Sequence, residues 1–267
     1  QQNLFNTKEI SYELRLRVPK LIVPEKINKQ LKNSFQMNTN LTFSLRNRTR
    51  PDFSSQVITQ TMGYSWKTSQ NIQHQLNLIE LSFSNIGEIN SFITNELIEN
   101  PYLSEQFEDK FIPATNYMFT FNNQKIYKIS NYTYLRTKAE ISGNLFSAIG
   151  SMFKLNKNSD GNYIIFNNPF SQYLKLDLDI RRYLMFSKQN TLVIRGYYGL
   201  GYSYANSDEL PIQKQFFSGG VNSIRAWEAF GLGPGSIENS NTYSTGDVKL
   251  ELNMEYRFPL FNSIKSA

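Results

Sequence analysis

The chain contains no cysteine and a single histidine, His74, among its 267 residues. Without cysteine there is no disulfide framework, thiolate metal site or cysteine nucleophile. One histidine excludes metal sites built from several imidazoles and any acid–base pair of two histidines. Charge is also scarce, at 19% of residues, below the roughly 25% usual for a soluble domain. Tryptophan occurs only twice. No stretch approaches the ~18 consecutive apolar residues of a membrane helix, and no apolar leader opens the chain. A start at Gln1 reads as a mature or trimmed segment. What the chain does have is 20 Phe, 16 Tyr and abundant Asn and Ser around a modest 40% apolar content. That mixture points to β-structure with two differently solvated faces.

The dominant pattern is alternation. From Val248 to Phe258, the residues Val248, Leu250, Leu252, Met254, Tyr256 and Phe258 share one face, and Lys249, Glu251, Asn253, Glu255 and Arg257 share the other. Successive strand side chains point to opposite faces, so one face is apolar and the other charged. Residues 173–181 repeat it, with Leu174, Leu176, Leu178 and Ile180 against Lys175, Asp177, Asp179 and Arg181. So do residues 12–18, 133–141 and 192–202, and less regularly 39–48, 54–66, 72–84 and 114–124. The expectation is nine strands. Helix is expected only as short turns in 91–110, interrupted by Pro101, and in 144–153.

The connections alternate too. Those at 67–70, 125–130 and 185–190 are short. On the opposite side lie 50–52, 86–112, 143–169 and 204–243, three of them long; 19–37 is a long exception on the short side. Short turns at one rim and long loops at the other is the arrangement of an outer-membrane β-barrel. Strands of about ten residues at ~3.3 Å rise and ~40° tilt also cross ~25 Å of hydrocarbon. Phe53, Tyr64, Trp66, Phe186, Tyr202, Phe258 and Phe261 fall near strand ends, where an interfacial girdle would sit. A soluble sandwich or lipocalin-like barrel alternates as well. Periodicity alone leaves both open.

Residues 216–235 read Phe-Phe-Ser-Gly-Gly-Val-Asn-Ser-Ile-Arg-Ala-Trp-Glu-Ala-Phe-Gly-Leu-Gly-Pro-Gly. This segment lies in the longest loop, between two of the clearest strands. It resembles the loop of the BamA/TamA-like outer-membrane assembly factors, whose pattern is Gly-Gly, a few residues, Ser, a hydrophobic residue, Arg-Gly-Phe/Tyr and later Gly-Pro. Gly219, Gly220, Ser223, Ile224 and Arg225 match, as do Gly233 and Pro234; Ala226 stands for the glycine and Trp227 for the Phe/Tyr. The next strand ends Glu255-Tyr256-Arg257-Phe258-Pro259, similar to the family's strand ending.

The resemblance implies an all-β fold: a transmembrane antiparallel β-barrel of sixteen strands, with loop 204–243 folded inward. Counted on that frame, residues 1–267 supply the fourth to twelfth strands as a partial barrel domain, without the periplasmic POTRA domains. It also implies that Arg225 meets an acidic residue of the inner wall, here Glu255. Gly219, Gly220, Gly231, Gly233 and Gly235 would let the loop pack closely, and Trp227 would anchor it in the lumen. Lys175, Asp177, Asp179, Arg181, Arg136, Lys138 and Glu140 would form a mixed-sign ladder on the wall. The implied role is non-enzymatic folding, insertion or translocation of β-barrel clients in the bacterial outer membrane. Its partners would be outer-membrane lipid, unfolded clients and accessory lipoproteins or periplasmic subunits, with no cofactor and no metal. A porin-like passive channel and a dedicated secretion pore are the alternatives. The formal charge of +6 is dispersed among acids, with no basic helix or zinc spacing, so nucleic acid is not an expected partner. No GxSxG elbow, P-loop or nucleotide fingerprint is present.

Overall fold

The computed structural model describes residues 8–31, 34–50, 53–91, 94, 109–125, 127–153, 156–158, 161–165, 168–233 and 245–259. Nine long strands form one antiparallel sheet: β1 (Lys8–Val18), β2 (Phe35–Thr49), β3 (Phe53–Ser69), β4 (Ile72–Ile89), β5 (Lys110–Asn122), β6 (Tyr132–Ser142), β9 (Tyr173–Met185), β10 (Thr191–Ser203) and β11 (Val248–Arg257). Each pairs with its neighbour in that order. A two-strand ribbon, β7 (Ile164–Ile165) with β8 (Asn168–Pro169), sits in the connection from β6 to β9. The helices are α1 (Glu25–Gln30) and α2 (Asn144–Phe153). All nine expected strands are present, and β2, β3 and β4 run longer than alternation suggested. Their register shifts at Met62/Gly63 and between Asn77 and Glu80, where bulges interrupt the period of two. The helical turn expected in 144–153 is α2. Most of 91–110, including Pro101, lies outside the described residues, as does Phe261.

Register carries largely apolar rows across the strands from β6 to β11. Thr137, Leu178, Tyr198 and Leu250 lie opposite one another in turn from β6 to β11, and Ala139, Leu176, Leu200 and Val248 form the next row. The exposure of these rows is inverted relative to a soluble protein. Leu250, Leu252 and Met254 are 75%, 77% and 73% exposed, whereas Asp179 is 1% and Glu140 2% exposed. Leaving such rows in water forfeits about 1.5–3 kcal/mol per large side chain. No second sheet covers them among the described residues, as a soluble sandwich would require. Lipid is the solvent that suits this surface, with the polar face turned to the interior of a barrel.

Turns close locally. The Ser187 hydroxyl accepts the amides of Gln189 and Asn190 at 3.2 and 3.0 Å, and Asn123 Oδ1 accepts the Thr133 amide at 2.7 Å. These bonds hold the short connections without a hydrophobic core. A small core does exist: Leu210 of the β10–β11 connection packs with Ile112, Ala114 and Tyr173 of the wall. It lies where the long connection meets the polar face, toward the long-loop rim. The outer edges of β1 and β11 have no strand partner among the described residues.

Candidate functional site

The connection from β10 to β11, in its described residues 204–233 and 245–247, is laid on the polar face. Its first residues are tied to the neighbouring connection through the buried Asn206, whose Oδ1 accepts the Tyr163 amide at 2.6 Å and whose Nδ2 donates to Phe170 O at 2.9 Å. Leu210 and Phe216 then enter space that two wall glycines leave open. A Cβ on Gly201 would stand 2.6 Å from Leu210 Cδ1, and one on Gly199 would stand 2.6 Å from the Phe216 ring. Both glycines fall on the inward row of β10. Their lack of a side chain is what seats the loop there.

Between those two contacts Lys214 reaches the wall. Its Nζ lies 2.7 Å from Glu140 Oε1 and 3.1 Å from Glu80 Oε1. Glu140 also accepts the Tyr173 hydroxyl at 2.6 Å and pairs with Lys138 at 2.6 Å. Glu80 accepts from Asn116 Nδ2 at 2.9 Å, Gln213 Nε2 donates to Ser84 Oγ, and Lys175 Nζ donates to Lys214 O at 2.6 Å. Burial alone would depress the Lys214 ammonium; Tyr173, Glu140 and Glu80 outweigh it and hold its pKa well above the ordinary lysine value. The loop base is thus clamped by a buried cation shared between two strands, β4 and β6.

The tip, residues 218–233, is compact. Phe217 and Phe230 stack at 4.0 Å, and the Gly220 amide donates to Trp227 O at 2.8 Å. Gly219 has φ +91° and no room for a Cβ, which would lie 1.9 Å from Glu228 O, so only glycine serves there. Ser223 turns its hydroxyl to Glu251. Arg195 donates to Asn222 O at 2.7 Å and bridges Glu251 at 2.9 Å and Asp179 at 3.0 Å. Lys249 donates to Phe217 O at 2.8 Å and pairs with Glu251 at 2.9 Å. Arg225 Nη2 lies 2.8 Å from Glu255 Oε2, and Glu255 is shared with Arg257 at 2.6 Å.

The motif residues occupy different positions. Gly219, Gly220 and Ser223 sit against the wall or close the tip, while Arg225 meets Glu255 at its outer end, its side chain 66% exposed. Ile224 accepts the Trp227 amide at 3.1 Å. Trp227 is 52% exposed and is held by backbone bonds rather than set in the lumen. Gly233 is in a left-handed conformation, φ +85°, with open space around it. Pro234 and Gly235 lie outside the described residues. The ladder residues are divided: Asp179, Arg181 and Lys175 hold or flank the loop, and Lys138 and Glu140 belong to the Lys214 clamp. Sequence reading gave no role to Lys214, Glu80 or Tyr173, and it placed Glu251 on the charged face of its strand without a partner. Lys214 stands alone in its segment, so no spacing marked it; the inward pair Gly199 and Gly201 was the one signal that something packs against β10. Among the described residues no cluster of His, Asp and Glu is fit to hold a metal.

This wall, with a glycine-rich loop folded against its polar face, has a counterpart in a known family. The Omp85 superfamily domain matches residues 5–267, almost the whole chain. A comparison with curated proteins finds no match. Members of this superfamily are outer-membrane insertion and secretion factors, non-enzymatic and working with unfolded clients and accessory proteins. With a polar interior, an apolar belt and the loop between its last two strands, the chain belongs to the Omp85 superfamily.

Proposed function

We propose that this chain is part of the barrel of an outer-membrane assembly factor of the BamA/TamA type, which helps β-barrel clients fold and insert. The observation that carries this reading is the loop, residues 204–233, held on the inner wall by the buried Lys214 ion pairs at its base and by hydrogen bonds and the exposed Arg225–Glu255 pair at its tip. A loop seated in this way occupies lumen that a diffusive pore would keep open, which disfavours the porin-like alternative. Open sheet edges are costly in lipid, because unpaired backbone groups find no water there. The edges of β1 and β11, which have no strand partner among the described residues, therefore call for further strands, and residues 1–267 act as one partial barrel domain. In such a factor a client strand pairs at an exposed edge by β-augmentation. Arg225, Glu255 and the glycines of the tip hold the loop in its working position.

Depleting the full-length protein in its native cell tests the reading. Broad loss of outer-membrane β-barrel proteins is the expected result. Loss of a single secreted product instead would make it a dedicated secretion pore, and loss of one solute's uptake a channel; either overturns the assembly role.

A further inference from the structure

The four connections at the short-turn rim, 19–34, 70–71, 123–131 and 186–190, carry seven lysines and one glutamate, Glu25. The opposite connections, 50–52, 90–109, 143–172 and 204–247, carry twelve acids and five bases. By sequence, the two sets of connections are thus opposite in charge. On the apolar face of the sheet, apart from Lys8 at the first residue of β1 by the opposite rim, an ionised residue stands within the apolar rows of β9. It is Arg182, which register places between Thr133 and Ile194. It is exposed and donates to Thr133 Oγ1 at 2.7 Å. Arg182 stands three residues from the end of β9 at Met185, which at ~3.3 Å rise and ~40° tilt is about 8 Å inside the rim. Aromatic groups lie near this rim: Tyr256 stacks on Phe258 at 5.5 Å, Phe186 is exposed, and Trp66 stacks on His74 at 5.1 Å.

A second feature converges on the same level. The segment 19–31 folds back onto the apolar side of β2 and β3. The Thr39 hydroxyl, on the same face as Leu41, accepts the Ile22 amide at 2.9 Å and donates to Lys20 O at 2.8 Å, and Tyr64 donates to Ile22 O at 3.0 Å. The backbone groups of Lys20 and Ile22 are thereby bonded to the wall. Ile22 and Ile27 are left exposed, beside Lys20, Lys26 and Lys29. Apolar side chains with flanking lysines suit the boundary between acyl chains and headgroups.

We infer that the short-turn rim is a binding collar for anionic phospholipid headgroups, with Arg182 as the phosphate contact nearest the acyl chains and segment 19–31 lying in the headgroup layer. A guanidinium among apolar side chains can be satisfied there by a phosphate fork rather than by bulk water. The lysines of the turns add a field that favours anionic lipid. Lipid rather than an aqueous protein partner is the occupant because Arg182 points from the face that the apolar rows keep in the bilayer. The collar also orients the barrel, with its basic rim on a phospholipid leaflet. The inference rests on the sheet spanning a bilayer, and not on which client the protein serves.

The test reconstitutes the full-length protein into phosphatidylcholine vesicles containing a trace of spin-labelled phosphatidylglycerol or spin-labelled phosphatidylcholine. The fraction of label immobilised at the protein is read by electron spin resonance. A several-fold preference for phosphatidylglycerol is expected, declining as salt is raised. Arg182→Gln should reduce it by about fivefold, the contribution of one basic side chain at an anionic surface. The exposed-turn variant Lys125→Gln/Lys128→Gln/Lys188→Gln, which touches no strand, should reduce it further and serves if Arg182→Gln folds poorly. Equal association of the two lipids, or an unchanged preference in the variants, overturns the collar. A protein that fails to enter vesicles at all overturns the bilayer reading beneath it.

Discussion

Replacing Lys214 with methionine removes the ammonium that bridges Glu140 and Glu80 while keeping most of the side chain's length. Both carboxylates then stay in place with one partner fewer. Breaking a buried ion pair from one side costs about 3–5 kcal/mol, because the remaining charge is stranded in a poor solvent. Here the lower end applies, about 3 kcal/mol: Glu140 keeps Lys138 and the Tyr173 hydroxyl, and Glu80 keeps Asn116. If the loop opens independently of the wall, its open population should rise about a hundredfold, at 1.4 kcal/mol per factor of ten. The chain has no cysteine, so a single thiol at the buried Ile212 (Ile212→Cys), two residues from the clamp, reports opening through its rate of maleimide labelling. In that background Lys214→Met should label about a hundred times faster than the parent. Adding Glu140→Gln should recover part of the difference, since the stranded charge is then gone. Labelling at the parent rate, or a double variant no better than the product of the two single effects, would show that Lys214 is not what seats the loop.

The tip pair should matter less. Arg225→Ala removes an exposed partner of a carboxylate that still has Arg257, so the cost should stay within about 1 kcal/mol. In the Ile212→Cys background it should speed labelling less than about fivefold, and a rate matching Lys214→Met would reverse the order of importance drawn from burial. Gly199→Val should force the Phe216 ring out of its place, since a Cβ there meets the ring at 2.6 Å; overpacking of this kind costs about 1–3 kcal/mol. The midpoint of thermal unfolding, followed by heat-dependent electrophoretic mobility, should fall in Gly199→Val and recover when Phe216→Ala is added. No recovery would mean that the valine acts on the strand itself.

Bulges explain where alternation was hardest to follow. Between Asn77 and Glu80 the period slips, placing Leu78 and Ile79 side by side, so counting by twos fails across β4 even though the strand is continuous. The loop motif was legible because its glycines and its Arg225 recur at recognisable intervals before a strand that itself alternates. Its contact with Glu255 was what the resemblance implied, and alternation placed that residue on the charged side of β11. Lys214 could not be found in this way. It reaches Glu80 across 134 positions of chain, and nothing local distinguishes it from an ordinary loop lysine. Trp227, by contrast, was expected from the resemblance to be an anchor in the lumen, and its side chain is half exposed.

Local covalent geometry made the two faces of each strand a property of residue order alone, so the sequence by itself determined that one face is apolar and the other charged, and where the strands begin and end to within a few residues. Which face is covered was a different matter. That depended on where residues 204–233 lie, and so on the space left by Gly199 and Gly201 and on carboxylates carried by β4 and β6. Ion pairing and close packing act between groups that only the folded chain brings within a few ångströms of one another, and the tertiary structure alone decided that the loop rests on the polar wall while the leucines are left to lipid.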